Sequence, residues 1–493
     1  MKEQSKLSKV LSILLSVVLV ISSFYLLYQV IRLNVLPSKF LFPLTIGVVV
    51  LDAIFILLLI YFSKNVVSKI VCIVLTLFIC VASCMGGYYI SKTQNVLSSI
   101  TNVAKHAKNT VSVIVKESSS IKNKSQLNGV SVGSLRLNEQ GSKKALKELS
   151  GEGIVLNQKE YDSMTALLEA FYNGEVDSII INESSRSQIL DMETYSNFDS
   201  NTRVVYQTSY KVKNNDSATS VSDITSKPFN VLISGSDTRG GFDENGRSDV
   251  IMIATVNPKT HTILLTSVPR DFYVTTACDA GDGCMQGALD KITHTGIHGT
   301  NTTKRTVEQL LGIEINYTFK VGFDTVTELV DVLGGVDVYV EPGYATTTSE
   351  FSVHEGVNHL NAQQALAFAR ERYSYTEGDR QRTKNQQQVL MGIVKEATKP
   401  SVITNYAAIM DTMANTFSTT MSNAEITDLI KYQLNNNPTW KMEQYMVDGT
   451  GDTLMCAELG DAASVMVPDQ STVKMAKDKI NAVLAGKSSE DVK

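Results

Sequence analysis

Between Phe229 and Tyr273 three apolar, β-rich runs are each tied to charged residues: Asp237, then Arg247 and Asp249, then Arg270 and Asp271. Carboxylates and arginines gathered at the ends of buried strands point to a metal ion beside an anionic ligand. Asp237 and Asp249 suit Mg2+, with Mn2+ as the alternative, because a hard cation takes oxygen ligands and uses one or two carboxylates beside substrate phosphates. A second cluster, FARERYSYTEGDRQRTKNQQQ, supplies Arg370, Arg372, Arg382 and Gln386. On a continuous helix Arg370 and Arg372 would diverge by about 200°. They converge only if the helix ends between Ala369 and Arg372. Arg382 and Gln386 share a face in the first turns of the next helix, where exposed backbone N–H groups already favour an anion. Arginine fits this task because its planar fork donates two parallel hydrogen bonds to phosphate and keeps its charge. The competing reading is a set of surface ion pairs among the same residues. Clustering of both charge types at strand and helix ends favours a site.

The elements that must carry these residues are legible as an α/β pattern. FNVLISG, DVIMIATV and TILLTSV read as buried strands, followed by helix Thr303–Leu311 and strand Tyr317–Val321. Asp324 is the expected cap of helix Thr325–Leu333, which stops at Gly334–Gly335 before strand Val336–Val340. Asn361 and Gln364 form a capping-box pattern. Asp379 is the expected N-cap of a helix that must end by Pro400. Further helices are expected over Val402–Phe417 and Ala424–Leu434, then a strand over Lys441–Val447 and a last helix after Asp469. Strands interleaved with helices indicate a layered α/β domain over residues 229–486, with a disordered tail at 487–493.

Upstream, Val10–Ile31 and Ile70–Ile90 are uncharged apolar runs, and Leu44–Phe62 carries one carboxylate, Asp52. Each approaches the roughly 20 apolar residues needed to cross a bilayer, so residues 1–92 read as an anchor of three transmembrane helices. Asp52 is either an intramembrane functional group or a helix-packing residue. Lys2, Lys6 and Lys9 before the first run favour a cytoplasmic N-terminus, which puts the chain after about Ser91 outside the cell. Residues 93–213 alternate strand and helix and read as a small accessory α/β domain without chemistry of its own, the alternative being a ligand-binding sensor. Asn214–Pro228 is polar and reads as a linker. Cys278 and Cys284 flank a Gly/Asp loop and can close a local disulfide in an external compartment. His294 and His298 are spaced as a zinc pair but lack two further ligands nearby. The net charge of −5 gives no global affinity for nucleic acid.

GSDTR, GRSDVIMIATVNP, LTSVPRDFYV, LVDVLGGVDVYV, GVNHLNAQQALAFARER and GDRQRTKNQQQ occur in an order and spacing that resemble the LytR-CpsA-Psr family. The anchor and accessory region resemble its capsule-associated branch (the CpsA, or Wzg, type). The resemblance implies an α/β/α phosphotransferase on the outer face of a Gram-positive membrane. Such enzymes move a glycopolymer, here capsular polysaccharide, from undecaprenyl pyrophosphate to peptidoglycan, forming a phosphodiester and releasing undecaprenyl phosphate. It implies Asp237 and Asp249 as magnesium carboxylates and Arg247, Arg270, Arg370, Arg372, Arg382 and Gln386 as pyrophosphate ligands. Arg270, Arg372 and Asp379 are the expected catalytic residues. Asp379 or Asp271 would accept the acceptor's hydroxyl proton. Many relatives carry arginine where this chain has Asn385. The lipid tail requires an apolar slot, which helices Thr325–Leu333 and Ala362–Ala369 are placed to line.

Three other classes remain open at this level: a membrane-bound attenuator or activator of capsule synthesis, a scaffold for other capsule-assembly proteins, and hydrolysis of the same linkage. Direct DNA binding has little support, since the expected cytoplasmic parts are short and carry few bases. A reporter fused at Lys493 is expected to be active only outside the cell. Activity confined to the cytoplasm overturns the orientation.

Overall fold

The computed structural model describes residues 6–62, 65–101, 106–136, 139–236, 244–278, 284–399, 408–409, 412 and 417–492. The chain forms two compact units. One holds three helices long and apolar enough to cross a membrane, Lys9–Leu33, Ser38–Phe62 and Val66–Thr101, with mean hydropathies of 2.6, 2.7 and 2.5. Ser23 Oγ donates to Asp52 Oδ1 at 3.0 Å, so this carboxylate joins the first two helices. The third helix continues past Ser91 to Thr101. Helix Asn423–Asn436 belongs to the same unit, with Lys39 Nζ donating to the Asn435 carbonyl at 2.6 Å.

The second unit contains two sheets. The first has strand order Asn157–Tyr161, Ser131–Leu135, Ser178–Asn182, His106–Lys116, Thr202–Lys213, a small mixed α/β fold. Strand Ser178–Asn182 shows the two-residue period of a strand covered on both faces. Ile179 and Ile181 pack with Leu167 and Phe171, while Ile180 packs with Val113 and Leu149 on the other face. Helix Met164–Asn173 starts where Ser163 Oγ accepts from Ala166 N at 3.0 Å and stops at Gly174, whose φ of 80° is costly for other residues.

The second sheet runs Phe417–Thr419, Tyr317–Gly322, Phe229–Ser236, Ser248–Asn257, Thr262–Val268, Lys441–Met446. Helices cover both faces. Leu232, Ile253 and Leu264 pack against Val307 and Leu311 of helix Thr300–Leu311 and Val473 and Ile480 of helix Gln470–Leu484. Ile233, Val250 and Met252 face helices Phe323–Leu333, Ala362–Arg370 and Asp379–Ala397. The layered α/β/α architecture follows from strands apolar on both sides, which need cover on both.

Several local expectations are corrected. Helix Phe323–Leu333 starts before Asp324, and Thr325 Oγ1 accepts from Gly322 N at 3.0 Å, so Gly322 is the cap. Asp379 is the first residue of its helix and its carboxylate pairs with Arg382 instead of capping. Most of Val402–Phe417 lies outside the described residues, but Phe417 itself is in an edge strand. The hairpin Gly449–Cys456/Asp461–Pro468 is not evident in the sequence, because its glycines and polar residues blur the strand pattern. It joins the two sheets: Cys456, Leu459 and Val465 pack in one core with Leu167, Phe171 and Ile179. The Asn214–Pro228 stretch lies on the second sheet, with Thr219 N donating to the Asn316 carbonyl at 2.8 Å and Val221 N to Tyr317 Oη at 3.1 Å.

The tail expected to be disordered turns at Ser489–Asp491 and closes over Glu443. Ser488 Oγ and Ser489 N donate to its carboxylate at 2.8 Å each, and Lys441 Nζ lies 2.8 Å away. Burial alone would raise the Glu443 pKa, but the Lys441 ammonium and the two serines outweigh it and hold the group at about 2. A depressed carboxyl stabilises the fold above its unfolded value of about 4.3 and loses that contribution as pH falls through its folded value. Glu443→Gln is therefore expected to cost about 1–3 kcal/mol at neutral pH. In denaturant titrations its loss of stability between about pH 4.5 and 2 should be smaller than the wild type's.

Candidate anion-binding site

Strand register brings the first charges together. Strands Ser248–Asn257 and Thr262–Val268 are antiparallel with Ile251 opposite Val268. Extending the pairing by two residues sets Asp249 opposite Arg270. Arg270 Nη1 donates to Asp249 Oδ1 at 3.0 Å, and Thr293 Oγ1 donates to the same oxygen at 3.1 Å. Arg247 Nη2 lies 3.5 Å from Asp249 Oδ2. Thr293 reaches this point because the turn Ile292–His298 lies against the segment carrying Arg247. A Cβ at Gly296 would stand 2.5 Å from Gly246 O and from Ser248 N, so only glycine permits that approach.

The second cluster arrives from across the fold. Helix Ala362–Arg370 ends at Glu371, which has extended backbone, and this break lets Arg370 and Arg372 line one recess. The recess is lined by Arg247, Asp249, Arg270, Arg370, Arg372, Arg382 and Gln386, together with Asp191, Val250 and Tyr373. Arg372 Nη2 donates to Tyr373 Oη at 2.6 Å, and the guanidinium lies 4.7 Å from that ring centroid. Asp379 holds Arg382, while Asp271 lies 3.7 Å from Arg270 Nε and 3.2 Å from Lys291 Nζ. Asp237 lies outside the described residues.

Electrostatics fit an anionic guest. Burial pushes the Asp249 carboxyl up, but Arg247 and Arg270 outweigh it, so its pKa lies below the ordinary carboxylate value. Burial works against the Arg270 charge, yet Asp249, Asp271, Asp191 and Asp379 raise its pKa. Arg382 shows the opposite balance: burial, with Arg270 and Arg372 nearby, lowers its pKa despite Asp379. The buried Nε atoms of Arg270 and Arg382 have no hydrogen-bond acceptor among the described residues. Buried donors of this kind are usually satisfied by protein, ordered water or a bound group.

Val250 and Gln386 also line a second, apolar recess, with Ile233, Met252, Val326, Leu366, Val389 and Ile393. The helices expected to line a slot, Thr325–Leu333 and Ala362–Ala369, contribute Val326, Leu366 and Ala369. Asn385 faces inward instead, donating to the Phe368 carbonyl at 3.0 Å, and does not line the arginine recess.

Other chemistry-bearing residues lie elsewhere. His294 Nδ1 is 2.7 Å from Asp290 Oδ1, and His298 Nε2 is 2.8 Å from Glu458 Oε2. Among the described residues no three His, Cys, Asp or Glu side chains converge as metal ligands. Cys278 and Cys284 are disulfide-bonded. Asp191 and Tyr373 were missed in the sequence: Asp191 sits far from any charged motif, and Tyr373 reads as loop.

Residues 194–482 match the model of the LytR_cpsA_psr family. The chain is 33% identical over 207 residues to a polyisoprenyl-teichoic acid–peptidoglycan teichoic acid transferase, TagU, of Bacillus cereus (strain AH820), covering 42% of this chain and 65% of that one. It is 35% identical over 196 residues to TagU of Bacillus subtilis (strain 168), covering 40% and 60%. The alignments thus span less than two thirds of these curated relatives. The crystal structure of B. subtilis TagU is similar at 28% identity with a TM-score of 0.41, covering 52% of this chain and 97% of that one.

Arg270→Ala is expected to weaken binding of inorganic pyrophosphate on the order of 10- to 100-fold, since hydrogen bonds to charged groups contribute about 1.5–3 kcal/mol. Calorimetry on the full-length protein in detergent measures this. Unchanged affinity would remove Arg270 from the anion site.

Proposed function

Because the chain belongs to the LytR-CpsA-Psr family, we propose that it is a membrane-anchored phosphotransferase that moves a glycopolymer from an undecaprenyl-pyrophosphate carrier to peptidoglycan. The carrying observation is the adjacency of two unlike recesses. An arginine-lined one suits a pyrophosphate, an apolar one suits a polyprenyl tail, and Val250 and Gln386 line both. A molecule charged at one point and greasy beyond it matches that pair. The similarity to teichoic acid transferases supports the reaction class. The polymer proposed here is capsular polysaccharide, on the strength of the three apolar helices and the accessory sheet that precede the site.

In this reading the acceptor's hydroxyl oxygen bonds to the sugar-linked phosphorus. The bond from that phosphorus to the bridging oxygen breaks, and its electron pair leaves with undecaprenyl phosphate. Arg247, Arg270, Arg370, Arg372 and Arg382 hold the phosphates and neutralise charge that shifts toward the leaving oxygen, the main task in phosphoryl transfer. Gln386 positions the carrier where the two recesses meet. The hydroxyl proton passes to Asp379 or Asp271, both carboxylates beside the arginines. Asp249 fits a hard divalent cation: it lines the recess, and its two hydrogen bonds fall on Oδ1, while Oδ2 has Arg247 at 3.5 Å. Asp237 is proposed as its companion. Bound Mg2+ would add positive charge beside the phosphates. The orientation proposed is a cytoplasmic N-terminus with the second unit outside the cell.

The test supplies the full-length protein with Mg2+, peptidoglycan and lipid-pyrophosphate-linked oligosaccharides of capsular or teichoic acid type. Wild type is expected to transfer the capsular type, and Arg372→Ala to lose at least about 100-fold in kcat/KM, about 2.7 kcal/mol. Leu366→Glu, in the apolar recess, should weaken lipid-linked substrate while leaving inorganic pyrophosphate binding intact. No transfer by wild type, or equal transfer by Arg372→Ala, would sink the enzymatic reading. Preference for the teichoic acid precursor would replace the polymer.

A further inference from the structure

One wall of the arginine-lined recess comes from the accessory sheet region, not from the sheet and helices that carry the other charges. Asp191 is the last residue of the short helix Arg186–Asp191. Its Oδ2 lies 2.5 Å from Arg247 Nη1 and 4.0 Å from Arg270 Nη2. We propose that Asp191 is a built-in competitor for the anionic ligand, its carboxylate holding a position on Arg247 and Arg270 that a phosphate oxygen takes when the carrier binds. The proposal rests on the pyrophosphate reading of this recess.

Two asymmetries support a competitor over a fixed structural pair. The Arg247 side chain is 6% exposed and Asp191 is 52% exposed. Arg247 is therefore fixed by its surroundings, while Asp191 can turn into water at little desolvation cost. Asp249 already supplies a carboxylate to the same two arginines from inside the fold, so they keep a partner after Asp191 leaves. Carboxylate and phosphate oxygens seek the same guanidinium fork, so both cannot occupy it at once.

The helix that presents Asp191 is itself anchored. Arg186 Nε and Nη1 lie 2.6 Å from Glu183 and 2.9 Å from Asp199. Ile189 is fully buried in the core that the hairpin residues Cys456 and Val465 share. A second clip lies nearby in sequence to Arg247, where Glu244 accepts from Thr110 Oγ1 at 2.5 Å and lies 3.0 Å from Lys108 Nζ. The accessory region thus delivers a negative charge to the site through a defined path. Its hold on Asp191 sets how readily the arginines accept a ligand.

The test measures inorganic pyrophosphate binding by full-length wild type, Asp191→Ala and Asp191→Asn in detergent, with Arg270→Ala as the non-binding reference. Both Asp191 variants are expected to bind about tenfold more tightly than wild type, which corresponds to about 1.4 kcal/mol. In wild type, pyrophosphate should also speed amide hydrogen exchange across Arg186–Asp191, a change that a purely structural pair would not give. Equal or weaker binding by both variants, or unchanged exchange, overturns the competitor while leaving the pyrophosphate site standing. Absence of binding by wild type and both variants removes the pyrophosphate reading and the competitor with it.

Discussion

The buried pairing of Asp249 with Arg247 and Arg270 is the constraint on which the rest of the site depends. Charges removed from water must be compensated closely, because each unpaired one costs several kcal/mol. Here two guanidiniums meet one carboxylate inside the fold, and the excess positive charge faces the recess. The fold supplies the geometry cheaply, through the register of two adjacent antiparallel strands and a glycine at position 296 that lets the Thr293 turn close on the strand end. A site assembled this way keeps its donors oriented before any ligand arrives, the condition under which electrostatic stabilisation is most effective.

The two recesses together explain the division of labour around the sheet. One face is ordinary core, filled by helices Thr300–Leu311 and Gln470–Leu484. The other face leaves an apolar gap beneath helices that also bring in Arg370, Arg382 and Gln386. Helix Asp379–Ala397 serves both: its first turns carry charge to the polar recess, and Val389 and Ile393 further along line the apolar one. An amphipathic helix turned end-on to a site does this naturally, because polarity changes along its length as well as around it.

The accessory region is more than a spacer in this arrangement. The hairpin Gly449–Pro468, late in the chain, completes the core of a sheet formed some three hundred residues earlier, and Asp191 stands at the edge of that core. Polar residues between residues 214 and 228 gave the impression of a loose joint. Hydrogen bonds from its backbone N–H groups to the Asn316 carbonyl and the Tyr317 hydroxyl bind that stretch along the second sheet instead.

Much of this was legible in the residues themselves. Three long apolar runs, buried strands alternating with capped helices, and the paired clusters at Arg247–Arg270 and Arg370–Gln386 are local patterns, and local patterns survive in one dimension. The break after Arg370 was also readable, since two arginines two apart can meet only beyond a helix end. What the chain's order hides is contact between distant segments. Asn385 and Gln386 look alike in sequence, yet one bonds the Phe368 carbonyl in the core and the other lines both recesses. Asp191 belongs to neither charged cluster in sequence, and it gains its place only when a hairpin from the far end of the chain packs its helix against the arginines. Sequence alone determined which side chains have the chemistry for an anion; tertiary packing decided which of them face it, because burial and direction belong to the folded surface and not to the order of residues.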